Sequence, residues 1–159
     1  MDLFPWFEAL AATRLSQAIS TSTWAFAVIE SVHLLALSLI GGAVLILDLR
    51  LLGLGLKRQA VADVARDAQP WLVGSLLVML VTGALLFLSE PVKCYFSTPF
   101  RIKMLCLLLG TIWAFTVRRK VAVAGEGRVR PIWMKVVALV SLILWFGVGA
   151  GGRWIGFSG

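Results

Sequence analysis

A chain of 159 residues that is 60% hydrophobic and 14% charged, with a mean hydropathy of +0.93, is too apolar for a soluble domain. Such domains average about 45–50% apolar and about 25% charged residues. The net charge of +7 would suit nucleic acid. The Lys and Arg residues, however, fall in short patches beside apolar runs, the pattern that orients membrane proteins, and no soluble basic face is left for a nucleic-acid partner. The length divides into spans of about 20 residues with short connections and no separate soluble domain. The expected fold is all-α: a four-helix transmembrane bundle with an N-terminal interfacial amphipathic helix, one integral membrane domain over residues 1–159, and the lipid bilayer as its first partner.

The chain opens Met-Asp-Leu-Phe-Pro-Trp, with no basic segment and no small-residue cleavage site, so no signal peptide is expected. Phe4, Phe7, Leu10, Ala11, Leu15 and Ile19 recur near helical spacing with Glu8, Arg14 and Gln17 between them. This predicts an interfacial helix over about 4–19, with Pro5 in its first turn and Trp6 at headgroup level. Ser20 to Thr23 supply N-cap candidates for a first span over about 23–49. Asp48-Leu49-Arg50 follow, and Lys57 and Arg58 close the extension.

Residues 59–69 read as a surface helix or loop, and Pro70 suits the first turn of a second span over about 70–89. Glu90-Pro91 ends it. A short connection with Lys93, Cys94 and Tyr95 leads to a third span over about 100–118, closed by Arg118-Arg119-Lys120. Past the Gly125-Glu126-Gly127 turn and Pro131, a fourth span covers about 132–151 and ends at Gly152-Arg153-Trp154. Gly41, Gly42, Gly74, Gly83 and the Gly147/Gly151 pair permit close helix approach, within one bundle, in a homo-oligomer or in a larger membrane complex. The seven Trp residues, several near span ends, read as interfacial anchors.

Arg50, Lys57, Arg58, Arg66, Arg118, Arg119, Lys120, Arg128, Arg130 and Lys135 fall near one face. Arg14, Lys93, Arg101, Lys103 and Arg153 fall near the other. This ten-to-five split predicts cytoplasmic longer connections and, for a bacterial inner-membrane protein, two periplasmic termini.

Within the apolar run from Trp24 to Leu47, Glu30 and His33 are one helical turn apart, and His33 is the only histidine. An unpaired charge at the centre of a span costs about 2.5–3.5 kcal/mol on insertion scales, so the pair is the first candidate site. At 1.5 Å per residue the two lie about 9 and about 13 Å below Trp24, in the outer half of the bilayer. Glu90, Lys93, Arg101, Lys103 and Arg153 are expected at the same end, so four helices would converge on one polar site.

Several readings suit that site. A structural network would pair Glu30 with Lys103 or Arg153, fix helix registry, and present a face for docking a partner. A cofactor site would use His33 as its metal ligand and His33, Glu30, Glu90, Lys103, Arg101 and Arg153 around haem b or a quinone, the basic residues suiting propionates. One histidine cannot ligate haem twice. Met79 or Met104 would have to serve, the iron would have to be five-coordinate, or two chains would each supply His33. A proton relay through Glu30 and His33 would make the protein a small proton-coupled transporter or carrier.

Copper transport is disfavoured, because the Met and Cys residues form no cluster of soft ligands. Cys94 and Cys106 have no metal-type spacing, and Cys106 is expected about two turns down a helix, away from Cys94. No nucleophile with its base can be assembled, so no catalytic residue is named. The leading expectation is a non-catalytic membrane subunit or accessory protein with an outer-half site for haem b or quinone, or for docking a periplasmic redox partner.

Four motifs support a resemblance: Ile29-Glu30-Ser31-Val32-His33-Leu34-Leu35-Ala36-Leu37; Asp48-Leu49-Arg50-Leu51-Leu52-Gly53; Leu88-Ser89-Glu90-Pro91-Val92-Lys93-Cys94-Tyr95 with Phe100-Arg101-Ile102-Lys103; and Gly152-Arg153-Trp154-Ile155. Together they resemble an uncharacterised family of small bacterial four-span membrane proteins, a domain of unknown function, over nearly the whole chain. That resemblance implies a fold and no activity. A more distant likeness to copper-resistance D-type membrane proteins rests on span architecture alone.

Overall fold

The computed structural model describes residues 4–125 and 127–155; the first three residues, Glu126 of the predicted turn and residues 156–159 lie outside it. Two short helices, α1 (Phe4–Ala11) and α2 (Arg14–Thr21), precede α3 (Thr23–Leu52) and α4 (Val61–Ser89). The short α5 (Pro91–Phe96) leads into α6 (Thr98–Trp113), a π-helical turn (Ala114–Arg118) and α7 (Arg119–Ala124), and α8 (Pro131–Ile155) closes the fold. Among the described residues there is no strand. Four segments are long and apolar enough to cross a membrane, Thr23–Leu52, Val61–Ser89, Thr98–Ala124 and Pro131–Ile155, so the chain is a multi-pass membrane protein. Short connections make neighbouring spans run in opposite directions.

Local capping sets several boundaries. The single interfacial helix expected over 4–19 is two helices, because Thr13 adopts an extended conformation and its side chain accepts from Ser16 N. Ser22 and Ser97 cap α3 and α6 in the same way, accepting from Ala25 N and Phe100 N. At the far end of α3, Gly53 takes a left-handed conformation, φ 77°, and Leu54 N donates back to Leu49 O at 3.0 Å, a reversal that suits glycine. Arg50 Nε donates to Gln59 O, holding the loop into α4.

Two span boundaries differ from expectation for physical reasons. The second span begins at Val61, with Pro70 inside it, because Val61, Val64, Ala65 and Ala68 already form an apolar stripe, and Val61 and Val64 are buried against the bundle. The third span continues past Arg118 to Ala124. Its π turn adds a residue to one turn and so rotates the helix beyond it, leaving Arg118 buried while Arg119 and Lys120 stay exposed.

The buried stripe of α3 runs through His33, Ala36, Ile40, Ala43, Val44, Leu47, Asp48 and Leu51, the spacing of one helix face. It packs along α4 on one side and α8 on the other, α6 packs along α8, and α7 returns to α4. The core falls into two apolar clusters, one around Ala36, Ile40, Met79 and Trp145 and one around Leu47, Val61, Ala122 and Val137. At the end that carries the N-terminal helices, the rings of Phe4, Phe7, Phe87, Tyr95, Phe96 and Phe100 join α1 to α4, α5 and α6 with centroids 5.0–5.8 Å apart.

At the opposite end, Asp48 of α3 and Arg118 of the π turn form an ion pair, Oδ1 to Nη1 3.4 Å, with side chains 0% and 3% exposed. Ser141 of α8 stands beside the carboxylate, so three spans meet there. Asp48 Oδ2, Arg118 Nε and Ser141 Oγ are buried without hydrogen-bond partners among the described residues.

This packing yields two tests. Asp48→Ala leaves a guanidinium buried without its counter-charge and is expected to destabilise the detergent-solubilised bundle by about 3–5 kcal/mol in SDS unfolding, whereas Asp48→Leu with Arg118→Met recovers most of that loss. A Cβ on Gly151 would lie 3.0 Å from Lys103 Cβ and 3.3 Å from Pro99 O, while one on Gly149 meets nothing within 4 Å. Gly151→Val should therefore cost about 1–3 kcal/mol in the same assay, with Gly149→Val close to wild type.

Candidate functional site

His33 is buried at the contact between α3 and α4. Its Nδ1 lies 2.9 Å from Thr82 Oγ1, and its ring rests against Gly83, where a Cβ would approach Cε1 to 3.2 Å. Thr82 Oγ1 also lies 2.7 Å from Val78 O and 3.3 Å from Met79 O, as is common for a threonine in a helix. A carbonyl only accepts, so in the tautomer that satisfies both contacts the single hydroxyl hydrogen goes to α4 and Thr82 accepts from His33 Nδ1–H. In that tautomer the neutral ring keeps its lone pair at Nε2, and the Met79 backbone is a further hydrogen-bond partner of His33.

Lys103 of α6 completes this corner. Its ammonium lies close enough to act electrostatically on His33. Its stem runs along α8 over Gly151 and Gly152, whose absent side chains leave room for it. Spans one to four thus contribute His33, Thr82 with Gly83, Lys103, and the Gly151-Gly152 pair.

Other residues expected at the site lie apart from that corner. Glu30 is exposed, because three residues make 300° of helical rotation and place it 60° round from His33; the half-buried Ile29 is the neighbour that continues the stripe. Among the described residues Glu30 forms no ion pair. Glu90 pairs locally with Lys93 at 3.6 Å, both about half exposed. Arg101 donates to Tyr95 O at 2.8 Å and sits over the Tyr95 ring, and Arg153 is exposed on the last turn of α8. Of the six residues, the structure brings His33 and Lys103 together, uses Glu90 and Arg101 in local contacts, and turns Glu30 and Arg153 outward.

Of the two possible thioether ligands, Met79 is in the core and Met104 is exposed. No three His, Cys, Asp or Glu residues gather among the described residues. Burial pushes the Cys94 thiol up, the Glu90 carboxylate adds to this, and Lys103 and Lys93 oppose it. Both cysteines are free thiols.

Sequence reasoning missed Thr82, since a threonine in an apolar helix usually satisfies itself on its own backbone and gives no sign of a cross-helix role. It also gave no partner for Asp48, which pairs with Arg118, turned inward by the π segment.

Neither the curated proteins nor the solved structures hold a match to this chain. Residues 4–158 match a family of unknown function, DUF6644, and over that span the chain belongs to it.

Proposed function

We propose that this protein is a non-catalytic subunit or accessory protein of the bacterial inner membrane, with both termini periplasmic, and that it engages haem b, a quinone or a redox partner at the His33 corner. The orientation rests on the ten-to-five division of Lys and Arg between the two ends. One observation supports the site above the others: Thr82 Oγ1 lies within hydrogen-bond reach of both His33 Nδ1 and Val78 O, and the tautomer that satisfies both contacts leaves the His33 lone pair at Nε2.

That arrangement is what a haem ligand requires, since ligating histidines donate their other N–H to a fixed acceptor. Bound haem would supply one-electron chemistry. The chain would hold it through His33, and Lys103 would meet an anionic edge. Met79 is buried in the core and Met104 faces outward, so another copy of His33 would suit the iron better than either thioether. For a quinol, His33 Nε2 would accept the hydroxyl proton and the Lys103 ammonium would donate to the other polar edge of the site. The carrier reading gains nothing from the geometry, because Glu30 faces outward from the bundle while His33 faces inward.

Protein purified in mild detergent should show either a Soret band or about one extractable quinone per chain or per dimer. His33→Ala is expected to abolish that signal. Thr82→Val, which removes the acceptor of Nδ1–H, should weaken retention by about tenfold. A colourless wild-type protein that carries no quinone removes the cofactor reading and leaves partner docking.

A further inference from the structure

A groove of about 660 Å³ opens between the first turns of α4 and the far part of the third span, at the opposite end of the bundle from His33. It runs from Ala62 to Val73 on α4 and from Ala114 to Val123 on the third span, about 13–17 Å along the helices. One leaflet of the hydrocarbon core is about 15 Å deep. Alanines on both walls leave the space unfilled. Its deeper part is apolar, with Leu72, Val73 and Phe115, and its polar groups, Arg66, Gln69, Arg118 and Arg119, stand nearer the mouth.

Two of those cations already have carboxylate neighbours, Arg66 with Asp63 and Arg118 with Asp48. Arg119 is exposed and has no such partner among the described residues. Arg118 forms part of the groove wall, is 3% exposed, and has a buried Nε–H without a hydrogen-bond partner among the described residues.

We propose that this groove binds an anionic phospholipid of the surrounding bilayer. One acyl chain lies along Leu72, Val73 and Phe115, and the phosphate sits at the Arg118-Arg119 step. The apolar depth, the cationic mouth and the one-leaflet length match the three parts of such a lipid, and the excess guanidinium charge selects against a zwitterionic headgroup. This inference is independent of the His33 corner.

The test is native mass spectrometry of detergent-purified protein titrated with phosphatidylglycerol or phosphatidylcholine carrying the same acyl chains. Wild-type protein should retain phosphatidylglycerol at least about fivefold better, the effect of one guanidinium beside an anionic headgroup. Arg119→Gln should abolish that preference while leaving the elution volume unchanged. Ala65→Leu, which fills the groove, should reduce retention of both lipids. Equal retention of the two lipids by wild type overturns the proposal, as does wild-type behaviour in either variant. Displacement of phosphatidylglycerol by millimolar inorganic phosphate would assign the site to a free anion instead.

Discussion

A carboxylate and a guanidinium with almost no access to solvent, Asp48 and Arg118, govern how the spans of this bundle meet. Removing two charges from water costs more than their attraction commonly returns, so such a pair is poor evidence of stability. What it restricts is arrangement. Any slippage of α3 against the third span would leave both charges unpaired in an apolar interior, so α3, the π turn and, through Ser141, α8 are held to one register. Stabilisation comes instead from the two apolar clusters and from close contact at Gly151 and Gly83, where backbones and side chains approach without a Cβ between them.

The two ends of the bundle are built differently. At the Asp48 end, α7 packs back on α4 and the loop into α4 is held by Arg50. At the other end the closure is aromatic, with Phe7 of α1 against Phe87 of α4 and Tyr95 of α5, and Phe87 stacked on Phe100 of α6. Rings packed edge to face are easier to rearrange than a desolvated ion pair, because no charge is stranded when they part. The end that carries His33 and Lys103 is therefore the one where a ligand or partner could enter at lower cost.

The same contrast explains how much of the candidate site was legible beforehand. His33 stood out because an ionisable group in hydrocarbon is rare, and its burial against α4 accords with that signal. Glu30 stood out for the same reason, yet 60° of helix rotation separates a core position from an exposed one, and a spacing of three does not say which side of the stripe a residue takes. Pro70 and the Arg118-Arg119-Lys120 cluster looked like span boundaries. In the fold Pro70 sits within a helix whose earlier turns bury Val61 and Val64, and Arg118 finds a carboxylate inside the bundle.

Composition and apolar run length determined by themselves that the chain is helical and multi-pass, because hydrocarbon leaves the backbone no other partners. The positions of the ionisable residues along those runs could be read in the same way. Which of them face one another was decided only by tertiary structure. That depends on the rotation of each helix about its axis, set here by a π turn, by glycines that permit close approach, and by the pairing of Asp48 with Arg118. The rotation arises from contacts between spans far apart in the chain, and no local pattern of residues encodes it.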